Sequence, residues 1–150
     1  MKNTNSFAKT VKEEIVSQKY KDERLLAILS SFTRVNGSLI IKHKQESVQL
    51  KIENSKIAKF IYLSMQHLFK VKPNISYLKR NNLSKSTCYI ITINDGKILD
   101  KMHIHFLDNE IDKAFTINAE RIGGFLAGAF LATGSVNSPR SSNYHLEVSF

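Results

Sequence analysis

The feature that most constrains this chain is a predicted helix that carries three internal glycines and still has to be stable. It runs from Glu120 to Ala132, with Gly123, Gly124 and Gly128 inside it and Thr133-Gly134-Ser135 at its end. Each internal glycine costs about 1 kcal/mol relative to alanine. Backbones packed close together repay that cost through van der Waals contact. Gly124, Gly128 and Ala132 fall on one stripe, so the helix needs a partner with an equally narrow face. An earlier helix supplies one. It starts near Asp22, read as its N-cap, and presents Ala27 and Ser31 before ending at Val35-Asn36-Gly37-Ser38. Both helices pass through Gly-Ser directly into a strand, which points to a duplicated helix-strand unit. Ala27, Ser31, Gly124, Gly128 and Ala132 are the expected helix-pair interface.

The rest of the chain alternates between two periods. Phe7, Val11 and Ile15 recur every fourth residue and predict a first helix over Ser6–Gln18. Between Leu39 and Ile52 the apolar residues alternate instead, giving a hairpin with one apolar face and one polar, mostly basic face, its turn near Gln45-Glu46. Ile57, Ile61, Met65 and Leu68 predict a helix over Ser55–Lys70, ended by Lys72-Pro73. Two more strands follow, Ile75–Lys79 and Thr87–Asn94, then a short helix over Lys97–Met102. Asn118 is the expected cap of the glycine-rich helix, and Val136 with Tyr144–Val148 suggests a second hairpin around Pro139.

Charge narrows the function. The formal net charge is +9, and the stretch from Ser38 to Asp100 holds eleven basic and four acidic residues. Such an excess favours a polyanionic partner, nucleic acid first. A lysine-rich compositional bias with no binding role is the competing reading. Lys42, Lys44 and Lys51 are expected on the hairpin face opposite Leu39, Ile41, Leu50 and Ile52. Lys79, Arg80 and Lys85 would join them from the neighbouring strand and loop, and Arg140 from the second hairpin. Lysines of this kind contact phosphates, and about five of them would make log K fall with log salt at a slope near −4 to −5. The single Cys88 excludes an intrachain disulfide and suits a reducing cytoplasm. The N-terminus has no apolar run of signal-peptide type, and Phe125–Ala132 is far too short to span a membrane.

Other chemistry finds little support. His103-x-His105 lacks a third metal ligand, and Asp108-x-Glu110-x-Asp112 lacks the glycine and terminal glutamate of a calcium loop. Ser30 and Ser31 have no nearby base. Cys88 reads as a packed thiol, Tyr77 and Tyr89 as strand packing that could stack on bases. No cofactor or metal is expected.

The segment from Leu126 to Ser135 resembles a LAGLIDADG motif. Gly128-Ala129-Phe130-Leu131-Ala132-Thr133-Gly134-Ser135-Val136-Asn137-Ser138-Pro139, followed by Tyr144-His145-Leu146-Glu147-Val148, is similar to the signature of the WhiA family of bacterial regulators. Ser6-Phe7 with Val11–Ile15, and Leu29-Ser30 leading to Asn36-Gly37-Ser38-Leu39, are similar as well. The family usually has Tyr-Leu-Arg where this chain has Phe125-Leu126-Ala127, which removes any role of that arginine. The resemblance implies an α+β, LAGLIDADG homing-endonuclease-like fold: a mixed or antiparallel saddle sheet backed by helices, its second repeat incomplete. On that basis residues 1–118 form an N-terminal helix and a first repeat, and residues 119–150 the motif helix and hairpin of a truncated second repeat. The family's helix-turn-helix domain is absent from this stretch, which reads as an N-terminal fragment. Nucleases of the scaffold hold Mg²⁺ on one carboxylate before each Gly-Ser. Here those lost metal-ligand positions are Asn36 and Thr133, so no cleavage is expected. The implied function is non-catalytic binding of double-stranded DNA in cell division, chromosome segregation or transcription of the sporulation type. Location would be cytoplasmic and nucleoid-associated, with other regulatory or cell-division proteins as further partners. The alternative is a protein-protein interaction module derived from the same scaffold.

Overall fold

The computed structural model describes residues 7–79, 87–105, 111–136 and 146–148. Its centre is a helix pair, α2 (Asp22–Asn36) and α5 (Ala119–Thr133). A four-stranded antiparallel sheet lies against one side of that centre. It is built from β1 (Ser38–Lys42), β2 (Gln45–Ile52), β3 (Asn74–Lys79) and β4 (Thr87–Ile93), in spatial order β1-β2-β4-β3. The expectation left mixed or antiparallel open, and every pairing in this sheet is antiparallel. The fold is α+β.

One face of the sheet is sealed by helices. Val48, Leu50, Ile52, Ile91 and Ile93 are buried with Ile28, Leu29 and Phe32 of α2 and with Ile57, Ile61 and Met65 of α3 (Ser55–Phe69). The α3 helix starts where Asn54 caps it, accepting from the Lys56 and Ile57 amides, and it stops at Lys70 in a left-handed conformation. Ile98, Leu99 and Met102, from the short α4 (Ile98–Lys101) and its end, close the core. The buried Ser30 hydroxyl ties this segment to α2 by donating to the Met102 carbonyl at 2.6 Å.

The α1 helix (Phe7–Val16) has no fully buried residue and packs from outside. Ile15 and Val16 lean on the core, and the Tyr20 hydroxyl donates to the Ile15 carbonyl while its ring meets Phe60 edge-on. A short 3-10 turn, Lys113–Phe115, is capped by Asp112 and sets Phe115 against Phe125. β5 (Ser135–Val136) pairs with β6 (Leu146–Glu147); the Pro139 turn between them lies outside the described residues.

Two expectations about the hairpin need correction. The β1–β2 turn is His43-Lys44, both with positive φ (52° and 63°), rather than Gln45-Glu46, which belong to β2. A two-residue loop with left-handed backbone at both positions matches strand twist, which is why it wins here without Asn-Gly. The apolar face is also only half covered. Val48 and Leu50 are fully buried, whereas Ile41 on the edge strand is 66% exposed. Asp22, expected as an N-cap, is the first residue of α2; Lys21 holds the cap position, and the Asp22 carboxylate meets His67 at 2.8 Å.

Candidate nucleic-acid interface

The helix pair fixes everything around it. A Cβ on Gly124 would stand 2.6 Å from the Arg24 carbonyl oxygen and 2.9 Å from Ala27 Cβ. One on Gly128 would overlap Ser31 Oγ and the Ile28 carbonyl oxygen. Ala27, Ser31, Gly124 and Gly128 therefore meet backbone to backbone, and Ala132 is partly buried beside the core. Gly37 and Gly134 are needed for space as well, since neither has a positive φ. A side chain at Gly37 would press on the Thr33 carbonyl oxygen at 2.5 Å.

Aligning the two Gly-Ser junctions places Glu23-Arg24 of α2 over Glu120-Arg121 of α5. In space these residues cross. Arg121 Nε donates to Glu23 Oε1 at 2.7 Å, and Arg24 Nε lies 3.1 Å from Glu120 Oε1, an ion pair not aligned as a hydrogen bond. Reciprocal pairing of equivalent residues is the mark of a pseudo-two-fold axis. Repeated Glu-Arg dipeptides at one spacing from Gly-Ser are the signal that reading the helix ends alone misses. Hydrogen bonds from Asn118 and Arg121 hold the Glu23 carboxyl below the ordinary carboxylate range. A depressed folded-state pKa contributes stability above the unfolded value and loses it as pH falls through the folded one. Glu23→Gln is therefore expected to lower Tm modestly at pH 7 and to shrink the loss of Tm between pH 7 and pH 3. Melts across that range check it, and an unchanged acid slope counts against the pairing.

At the far end of the pair, Asn36 is committed to the backbone. Its Nδ2 donates to the Lys51 carbonyl at 3.0 Å and its Oδ1 accepts from the Lys51 amide at 3.1 Å. This two-point contact docks the end of α2 on β2. Thr133 Oγ1 donates back to the Ala129 carbonyl at 3.4 Å.

The second face of the sheet is turned away from the helices. By register, Ser38, Gln49, Thr92 and Asn74 form one row across all four strands. Lys51, Ile90 and Ser76 form another, and Lys42 stands opposite Gln45. The face thus mixes these polar side chains with Ile40, Ile90 and Leu78 and is sparsely charged. Lys42 and Lys51 share it, and Lys44 occupies the hairpin turn at its edge. Lys79 does not join them. It alternates with Ile75 and Tyr77, whose partners Ile91 and Tyr89 belong to the helix-covered face. The exposure of all of β3 conceals that parity from the sequence. Arg80, Lys85 and Arg140 lie outside the described residues.

No cluster of three or more His, Cys, Asp or Glu side chains suited to a metal occurs among the described residues. His103 has a positive φ of 57° and sets its ring edge-on to Phe115, while Asp108 and Glu110 lie outside the described residues. Cys88 is buried, Tyr89 packs on the core and Tyr77 is exposed. Among the described residues no helix is long and apolar enough to cross a membrane.

The family model for the WhiA N-terminal LAGLIDADG-like domain matches residues 22–105, and that for the WhiA LAGLIDADG-like domain matches residues 122–150. A protein of Staphylococcus saprophyticus subsp. saprophyticus named "Probable cell division protein WhiA" is 35% identical over 148 residues, covering 95% of this chain and 47% of that protein. One of the same name from Geobacillus thermodenitrificans is 34% identical over 149 residues, with the same coverage of 95% and 47%. The chain spans about half the length of these relatives. The crystal structure of the N-terminal LAGLIDADG domain of DUF199/WhiA superposes with a TM-score of 0.70 at 23% identity, over 97% of this chain and 67% of that one. The crystal structure of I-DmoI in complex with DNA and Mn superposes with a TM-score of 0.55 at 17% identity, over 77% of this chain and 64% of that one. At these identities the superpositions establish the fold, and the family models, one over α2 through α4 and the other over most of α5 through β6, establish kinship: the chain belongs to the WhiA family through its N-terminal LAGLIDADG-like domain.

Proposed function

We propose that this chain is a DNA-binding, non-cleaving domain of a bacterial regulator acting in cell division or chromosome segregation, or in transcriptional control of the sporulation type. The observation that carries the reading is the open sheet face. Four strands present Ser38, Gln49, Thr92 and Asn74 in one row, all short or amide side chains able to donate and accept hydrogen bonds, with Lys42 and Lys51 on the same side. Lysines position the protein on phosphates, and uncharged polar side chains can reach base edges. The I-DmoI neighbour was crystallised with DNA, which makes nucleic acid a reasonable occupant of the face.

Residues 1–118 are proposed as an N-terminal helix with a first repeat and residues 119–150 as the start of a second. The domain works as a dock because its helix ends do not fit a divalent cation. The Asn36 amide is spent on both sides of the Lys51 backbone, and Thr133 brings no charge. Asn36→Asp removes the donor to the Lys51 carbonyl. The expected loss is about 1 kcal/mol, or roughly 2–4 °C in Tm. The unsubstituted chain is expected to nick no plasmid in Mg²⁺. Metal-dependent nicking by it that is lost on substitution of Asn36 would refute the assignment.

Binding itself is tested by titrating a random-sequence duplex at rising salt. With Lys42, Lys44 and Lys51 engaged, log K should fall with log salt at a slope of about −3. No complex at low salt would count against it. One observation favours a second reading, docking of another protein: Leu78 is 59% exposed on the open face. An unshifted duplex together with capture of a WhiA-pathway protein through this face would support that reading instead.

A further inference from the structure

A cleft of about 740 Å³ opens between α1, the end of α2 and the β2–α3 turn. Lys9, Lys12, Lys51, Glu13, Glu53 and Asn36 are among its lining residues. Lys12 stands apart from the other charged groups. It is half-buried, its Nζ lies 5.6 Å from the centre of the Phe130 ring, and no carboxylate among the described residues pairs with it. The neighbouring Glu13 is already held by Asn54 Nδ2 at 2.9 Å and Lys56 Nζ at 3.6 Å. Burial lowers the Lys12 pKa. An ammonium taken partly out of water, with no ion pair to a carboxylate among the described residues, gains from an anion in the same cleft. Lys51 lines this cleft and also stands on the open sheet face, so the two surfaces are continuous.

We propose that this cleft is a phosphate site in which Lys12, with Lys51, holds an oxyanion of the DNA backbone beyond the end of the sheet face. The α1 helix then serves as a second arm of the DNA contact. The inference rests on the DNA-binding reading for its ligand, while the anion site stands on the cleft alone.

Two probes separate these, both applied to the full chain. Inorganic phosphate is titrated while the amide resonances of Lys9, Lys12 and Asn54 are followed by NMR, and a random duplex is titrated against wild type, Lys12→Met and Lys12→Arg. Methionine keeps the apolar contact with Phe130 and removes the charge, and the amide spectrum reports whether each variant is folded. Expected are saturable shifts at these amides and duplex binding weakened roughly threefold to tenfold in Lys12→Met, with a salt slope shallower by about 1 and recovery in Lys12→Arg. A purely structural lysine would change Tm and leave the slope alone. Wild-type binding and slope in folded Lys12→Met, with no phosphate-induced shifts, overturns the site and leaves the DNA reading intact. Phosphate shifts with no duplex binding by wild type support the anion site and reject DNA as its source.

Discussion

Gly128→Ala is expected to destabilise the domain by about 2–3 kcal/mol, although alanine is the better helix former. A single methyl there meets Ser31 Oγ and the Ile28 carbonyl, and the second of these is backbone. A side chain could rotate away, but a carbonyl inside α2 moves only with its helix. The two helices must then separate, and the buried contacts of Ala27, Ile28 and Phe125 loosen with them. Gly123→Ala is the matched control on the same helix. Its new Cβ would meet the far end of the long, partly exposed Arg24 side chain, with Nη2 at 3.1 Å, which can shift more readily than backbone. That variant should gain up to about 1 kcal/mol from helix propensity. Thermal melts of the two variants should therefore move in opposite directions, down by roughly 5–10 °C and up by roughly 2–4 °C. If both rise, the glycines are incidental and the close approach of α2 and α5 is wrong.

The same glycines explain why the fold class could be read from the chain. Gly124 and Gly128 are intelligible only against a second narrow helix, and a change of period from four to two after Gly37-Ser38 locates the hairpin that follows it. Asn54 and Asn118 cap their helices through side-chain oxygens, a local signal that short-range reading handles well for Asn118. What the chain hid was non-local. The pairing of β2 with β4 across an intervening helix and strand has no sequence marker, and the face of Lys79 follows from that pairing rather than from β3 itself. The His43-Lys44 turn lacks the glycine or asparagine that announces a left-handed loop. Asn36 can be recognised from sequence as a position without a carboxylate, whereas its hold on Lys51 depends on how far β2 reaches back along α2. Lys12 carried no signal at all, because its significance comes from Phe130 and a cleft formed by segments far apart in the chain.

Replacing Lys42, Lys44 and Lys51 together by Glu should abolish duplex binding at physiological salt, a loss of at least about a hundredfold, since three attractions become three repulsions. The variant should still fold. All three side chains are exposed, and the Asn36 contacts to Lys51 use only its backbone. Gln49→Ala and Thr92→Ala probe a different property of the same face. They remove hydrogen-bonding groups at the middle of the four-strand row without changing charge, so the salt slope should stay constant while any preference among duplex sequences weakens. Lys79→Glu supplies the decisive control. It makes the same change in net charge as any one of the three reversals, but on the face shared with Ile75 and Tyr77. A general electrostatic attraction to a basic protein predicts equal losses for Lys79→Glu and Lys42→Glu. Binding through the open face predicts that Lys79→Glu stays within about twofold of wild type at moderate salt, where charges more than a Debye length away are screened. Equal losses would mean that DNA responds to the overall positive charge of the chain and that the polar row has no part in the contact.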